Sequence, residues 1–269
     1  RNLPRETDQL IESVITNHTG FEVIPFVVES GTDDNKLSKF AAWHATDEHA
    51  RLHGLKFYGA INYAIDRMMQ DGSLHQFDIF AFMTNDTVID TAPELFLSGL
   101  LVNFELYEKL GLLCPAGSNW GELQLIGADG FKVTWSCEST VYIFRKEALL
   151  DLINHKYQKI QKTLFDPRNP RGYGSQLEVI AKLYMDQWCT GISSSALVHE
   201  NEGILLSKAD LIKTKPYDEN KRLYVTEGMD WMREKYGFKS HWHLLMHARQ
   251  HYENFMKWNH EYRQFAIDG

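Results

Sequence analysis

Polar and apolar positions along the chain switch repeatedly between helical and strand spacing. Leu10, Ile11, Val14 and Ile15 share one helical face behind Pro4, which suits a first helical turn because its missing N–H would have no partner there. Phe21 to Val28 reads as a strand, blemished by Pro25, and runs into the acidic turn Glu29-Ser30-Gly31-Thr32-Asp33-Asp34. From Lys36 to Gln70 the apolar spacing is helical, broken at Gly54 and Gly59, and Asp71-Gly72 ends the segment. Phe77 to Thr87, FDIFAFMTNDT, is an apolar strand that halts on the polar cluster Thr84-Asn85-Asp86-Thr87. Pro93 to Leu110 has the pattern of an amphipathic helix, and the Gly, Pro and Ser of Gly111 to Gly121 read as a loop.

Lys132 to Phe144 is a further strand region, with Val133, Trp135, Val141 and Ile143 in partial alternation. Lys146 to Leu164 reads as a helix with a basic, solvated outer face, followed by the loop FDPRNPRGYG at Phe165 to Gly174. A helix capped near Ser175 then carries Leu177, Ile180, Ala181 and Tyr184 on one side, and a short strand from Ser195 to His199 ends in His199-Glu200. Lys213 to Arg222 is polar and reads as a linker; the tail from Thr226 is helical and dense in aromatic residues, which predicts that it packs back onto the domain. The alternation of strands and helices predicts an α/β fold with a mainly parallel sheet flanked by helices over residues 1–205. Residues 206–269 would form a linker and a helical C-terminal extension.

Composition narrows the function classes. The net charge of −8, with Lys and Arg dispersed, disfavours nucleic-acid polymers but not a small phosphorylated ligand. Three cysteines, Cys114, Cys137 and Cys189, without a CxxC pair, argue for a reducing compartment and against both a disulfide framework and a cysteine-bound zinc. No run approaches the ~20 apolar residues of a membrane-crossing helix and no secretory leader is visible, so the chain is expected to be soluble and cytoplasmic, with peripheral membrane association left open. Arg1 opens almost directly on a helix, which predicts that the sequence begins inside a longer chain.

Candidate chemistry lies at strand ends. A buried strand that ends in a carboxylate delivers it to the carboxyl edge of a sheet, where open α/β sheets bind ligands, and Asp86 is such a residue. Glu29 and His199 end two other strands in the same way. A rival cluster, His241, His243 and His247, includes an i, i+4 pair but no HExxH arrangement, and its aromatic surroundings favour packing over metal binding.

These pieces, in this order, resemble the GT-A fold of nucleotide-sugar glycosyltransferases, especially the large inverting family that builds bacterial and viral polysaccharides, rhamnosyltransferase-like members included. Arg1 to Val14 resembles the family's "N-R-P-e-x-L" opening of its first helix, which implies that the usual first strand lies just upstream or is absent. VVESGTDD is similar to "VVDdgStD", which implies that Glu29 reads the nucleotide base; LKFYGAINYAI is similar to the element that carries a conserved-type asparagine, here Asn62. FAFMTNDTVI resembles "FLnnDT", the family's variant of the metal-binding DxD, which implies a metal ligand at Asp86 and donor contacts at Thr84 and Asn85. FDPRNPRGYGSQLEV resembles "FDe…GyGeDlEl", the acceptor-side loop and helix, placing Gly174 and Gln176 at the nucleotide sugar. LVHENEG resembles the closing "v-x-H-x-x-g", in which His199 would approach the metal or diphosphate.

The resemblance implies transfer of a sugar from a nucleoside diphosphate, with uridine favoured, to a glycan or other hydroxyl acceptor, assisted by Mn²⁺ or Mg²⁺. A divalent cation held by hard oxygens neutralises the leaving diphosphate, and inversion needs a carboxylate to take the acceptor's proton. Here the chain departs from the family: the usual "ED" pair is Ser175-Gln176. Glu138, Glu178 and Asp166 are the candidate bases, with Glu138 and Glu178 ahead. The alternative is a non-catalytic nucleotide-sugar or glycan-binding relative.

Overall fold

The computed structural model describes residues 2–15, 20–119, 122–127, 130–154, 163–201, 203–204 and 217–267. In chain order the helices and strands are α1 (Pro4–Ile15), β1 (Val27–Ser30), β2 (Ala41–Ala45), α2 (Glu48–His53), α3 (Lys56–Asp71), β3 (Ile79–Met83), β4 (Thr87–Ile89) and α4 (Pro93–Leu106). Then come β5 (Leu110–Gly117), α5 (Glu122–Ile126), β6 (Phe131–Val133), β7 (Val141–Arg145), α6 (Lys146–Ile153), α7 (Ser175–Met185), β8 (Cys189–Glu200), α8 (Tyr217–Tyr236) and α9 (His241–Trp258).

The fold is α/β, but its main sheet is mixed, not mainly parallel. Its order is β3-β7-β5-β8-β4, with β6 also on β8; only β5 and β8 pair in parallel, while β7 runs against both β3 and β5 and β4 and β6 run against β8. Parallel neighbours need a crossover of a dozen or more residues, usually a helix. Between β5 and β6 the described residues hold only the five-residue α5, and β6 runs opposite to β5; β7 runs the same way as β6 and so enters the sheet against both β5 and β3. Strands β1 and β2 form a separate parallel pair, and the ring of Phe26 bridges the two sheets by stacking on Trp43 at 5.1 Å and meeting Phe77 edge-on at 5.7 Å.

Gly111 to Gly117, expected in a loop, belongs to the central strand β5, all eight residues of which are buried. Gly111 is required by packing, because a Cβ there would lie 2.8 Å from Trp188 Cβ and 2.9 Å from Ala148 Cβ. Pro115 is tolerated because it sits where the β5–β8 register jumps, from Ser193 opposite Pro115 to Leu197 opposite Ala116. The strand region 132–144 is two strands, β6 and β7, joined by the Trp135–Ser139 loop; β2 interrupts the expected helical stretch after Lys36, and β8 begins six residues before Ser195. The polar stretch expected as a linker is helical from Tyr217; the boundary at 205/206 and the helix expected over 155–162 lie outside the described residues.

One hydrophobic cluster runs from α3 through the sheet to α7, α9 and Tyr262. Helix α7 packs against both β8 and α9, and ten of its eleven residues are buried, including the polar Ser175, Gln176, Glu178 and Lys182. Gly174, in the left-handed conformation at φ 75°, starts this helix; a Cβ there would lie 2.8 Å from Leu244 of α9, so the glycine lets the C-terminal helix close on α7. The aromatic tail therefore packs back onto the domain, as its composition predicts.

Candidate functional site

Because β3, β5 and β8 run one way and β7 the other, the carboxyl ends of the first three and the amino end of β7 meet at one edge of the sheet. Thr84-Asn85-Asp86 follows β3 there, Glu122 follows β5, His199-Glu200 ends β8, and Glu138 lies just before β7. The turn 84–86 joins β3 to β4, which lie four strand positions apart in the sheet order. A flat sheet would separate them by about 19 Å, more than the roughly 14 Å that four residue steps can span. The sheet therefore curls at this edge, with the long break in β8 pairing, and residues 84–86 cross over the end of β7. The Thr84 N–H donates to Thr140 O at 3.1 Å and the Asn201 N–H to Asp86 O at 2.8 Å, fixing the turn on both sides.

The Asp86 Oδ1 atom is buried and has no hydrogen-bond partner among the described residues. An ionised oxygen in that state is costly unless a cation or donor completes it, so this orphan oxygen fits a hard divalent cation. His199 Nδ1 lies 2.8 Å from Asp90 Oδ2, and Ser118 Oγ donates to the same carboxylate at 2.8 Å. Burial opposes ionisation of Asp90, but His199 and Ser118 outweigh it and hold its pKa below the usual range. In the neutral tautomer that donates Nδ1–H to Asp90, Nε2 is the ring's acceptor. Among the described residues no group of three or more His, Cys, Asp or Glu is gathered closely enough to hold a metal by itself, so a cation at Asp86 would take most of its shell from ligand and water.

Of the other expected donor-side residues, Glu29, Asn62, Thr84 and Asn85 have partners in the chain. Glu29 is 4% exposed, and its carboxylate accepts from Thr32 Oγ1 and from the Ser38 N–H at 2.9 Å, so it braces the turn after β1. Asn62 clamps Phe165, accepting its N–H at 3.0 Å and donating to its carbonyl at 2.8 Å, and thereby seats the loop that leads to Gly174. Thr84 Oγ1 lies 3.2 Å from Thr87 Oγ1, and Asn85 donates to Thr7 Oγ1 on α1 at 3.2 Å. Asn2 is paired with Asp33 beyond β1, so α1 links the turns that follow β1 and β3. Gln176 is 6% exposed, and its Oε1 has no hydrogen-bond partner among the described residues.

The three candidate bases stand in different surroundings. Glu178 is 3% exposed and its Oε1 lies 2.7 Å from Lys235 Nζ, 2.8 Å from Lys182 Nζ and 2.9 Å from the Tyr236 hydroxyl. Asp166, 7% exposed, pairs with Arg168 at 2.7 Å and with Lys235. Burial opposes both charges, yet the lysines at Glu178, and Arg168 with Lys235 at Asp166, outweigh it and depress both pKa values. Glu138 is exposed, at the sheet edge, within electrostatic reach of Tyr58, Tyr173, Tyr224 and His241. Tyr173 packs on Tyr224 and on His241, each at 5.0 Å, so these three rings form one aromatic cluster within that electrostatic reach. His243 is bonded to Ser240 at 2.8 Å and His247 meets His251 edge-on at 4.7 Å, contacts of packing and hydrogen bonding.

Glu122 escaped the sequence reading because nothing in its neighbourhood patterns as a strand end. Its carboxylate accepts the Gly117 N–H at 2.6 Å and the Glu138 N–H, and burial pushes its pKa up to about 7, against those two donors and with the Glu138 charge adding to the rise. Because this folded pKa exceeds the ordinary 4.5, Glu122 favours folding fully below pH 4.5, and that contribution is lost as pH rises to about 7. Glu122→Gln, which keeps the acceptor and removes the charge, is expected to gain about 1–2 kcal/mol more stability at pH 8 than at pH 5, read by urea unfolding. Equal gains at the two pH values would show that the charge is not strained.

Comparison with known protein families and with curated proteins finds no match to this chain. Among the described residues, no helix is long and apolar enough to cross a membrane.

Proposed function

We propose that the protein is a GT-A-type glycosyltransferase that moves a sugar from a nucleoside diphosphate, uridine favoured, to a glycan or other hydroxyl acceptor. The observation that carries this reading is the buried Asp86 oxygen, unpartnered among the described residues, on a turn that crosses the convergent strand ends. Asp86 would hold Mn²⁺ or Mg²⁺, which when bound supplies positive charge to the departing diphosphate. His199, oriented by Asp90, would offer Nε2 to the cation or the diphosphate. Thr84 and Asn85 would frame the donor, and Glu29 would shape the base-side turn by holding Thr32 and Ser38. Glu138 is the base this reading favours, because it is the exposed carboxylate within electrostatic reach of the aromatic cluster while Glu178 and Asp166 neutralise lysine and arginine. One observation favours the non-catalytic, sugar-nucleotide-binding alternative: Gln176, whose Oε1 has no partner among the described residues, stands where the resemblance calls for a carboxylate.

Thermal unfolding with UDP, GDP and dTDP, with and without Mn²⁺, tests the binding step. A ligand of the folded state at 100 times its Kd is expected to add about 2.7 kcal/mol. Asp86→Ala should unfold like the parent without ligand and lose the Mn²⁺-dependent increment. A variant that keeps the full increment places the cation elsewhere, and consumption of UDP-sugar by the parent with an acceptor separates enzyme from binding module.

A further inference from the structure

We propose that Cys114 and Cys137 are a dithiol–disulfide couple that can fasten the Glu138 segment to the central strand. Cys114 lies in the middle of β5 and Cys137 on the irregular segment that climbs from β6 to β7; they are 0% and 1% exposed. Their Sγ atoms are 3.0 Å apart, although 23 residues separate them in sequence. That gap is about 1 Å longer than a covalent S–S bond, a difference that small side-chain rotations can close. The third cysteine is not part of the pair: Cys189 stands opposite Leu110, four residues from Cys114 along β5, or about 13 Å.

The two thiols differ in access. Cys137 is one residue beneath the surface, since its neighbour Glu138 is exposed, whereas Cys114 is in the interior and burial raises its pKa well above the ordinary thiol value. Exchange with a low-molecular-weight disulfide, RSSR, therefore begins at Cys137 when its segment lifts. The Cys137 thiolate attacks one sulfur of RSSR and releases RS⁻, giving a mixed disulfide. The Cys114 sulfur then attacks Cys137 Sγ, and the second RS⁻ leaves and takes up the Cys114 proton. Two protein thiols and RSSR give one intramolecular disulfide and two RSH, with two electrons passing from the protein to RSSR. The resulting bond would close a loop over residues 114–137, which holds Glu122, and would pin Glu138, the next residue, to β5, whatever reaction the site performs.

The full folded chain is incubated with oxidised glutathione, quenched with acid, unfolded, alkylated and analysed by intact mass and peptide mapping. The expected product has one alkylatable thiol, Cys189, and a Cys114–Cys137 crosslink that dithiothreitol reverses. Its unfolding temperature should rise by roughly 5–10 °C. Cys189→Ser should form the same crosslink, and Cys137→Ser should not. Three alkylatable thiols in the treated parent, a crosslink to Cys189, or a glutathione adduct that remains on Cys137 would each overturn the proposal. Complete crosslinking with an unchanged unfolding temperature would overturn the fastening role.

Discussion

On the proposed glycosyltransferase reading, Glu138→Gln is expected to bind the donor nucleotide as the parent does and to transfer sugar ~100- to 10,000-fold more slowly. The acceptor hydroxyl must lose a proton as the new bond forms, and an amide cannot take it. Charge and exposure separate Glu138 from its two rivals. Asp166 and Glu178 are buried and share Lys235, so either would have to abandon an ion pair before accepting a proton. Glu138 is exposed, and it lies within electrostatic reach of the aromatic cluster Tyr173, Tyr224 and His241, the kind of surface on which a sugar acceptor can pack. Tyr224, whose pKa is raised to about 12 by burial and then by Glu138, is protonated at neutral pH as an ordinary tyrosine is, so its hydroxyl can donate. The measurement is donor affinity by calorimetry alongside initial rates of transfer. A Glu138→Gln protein with parental rates would move the base to another group, and one that no longer binds donor would make Glu138 a binding residue.

The parts of this fold that were legible in the sequence are those set by local pattern. Helix α1 begins at Pro4 as its spacing predicts, α3 stops at Gly72 in the left-handed conformation, and β3 ends on the polar turn that holds Asp86. Strand β5 was illegible because its two glycines and proline mimic a loop. The tight approach of Trp188 and Ala148 to Gly111, and the register jump beside Pro115, exist only once the sheet has formed. The direction of β7 was hidden for the same reason, since nothing local tells a strand which neighbour it will oppose.

The site divides along the same line. Asp86 and His199 could be singled out because each ends a strand, but the carboxylate that orients His199 is Asp90, 109 residues away in sequence. Glu122 could not be foreseen, because its raised pKa comes first from burial that α5 and the neighbouring backbone create together. Of the network around Glu178, the i, i+4 partner Lys182 is readable from helical spacing, whereas Lys235 reaches it from a helix 57 residues on.

Lys235→Met is expected to cost about 2–4 kcal/mol of stability at pH 7, the largest loss foreseen for a single substitution outside the core. Lys235 links two buried carboxylates, Asp166 and Glu178, and its side chain keeps 22% of its surface exposed. Its ammonium also lies 5.4 Å from the Trp231 ring centroid and 5.6 Å from that of Tyr236, so one charge joins α8 to α7 and to the loop after Leu164. Methionine keeps most of the apolar stem, so the loss reports the charge. Arg168 would still compensate Asp166 and Lys182 would still compensate Glu178, which limits the cost to less than that of two unpaired charges. Both carboxylates have depressed pKa values in the folded chain, so their contribution is complete above the ordinary carboxylate range and is lost as pH falls through the depressed values. Removing Lys235 moves those values back up, and the deficit of the variant should therefore shrink between pH 7 and pH 3.5. Glu178→Gln in the same chain should recover part of the loss at pH 7, because it removes a charge that has lost a partner. Urea unfolding of the parent, Lys235→Met and the double variant at both pH values measures all of this. A Lys235→Met deficit under about 0.5 kcal/mol, or one independent of pH, would mean that packing alone holds the C-terminal helices on α7 and that Glu178 is free to take another role.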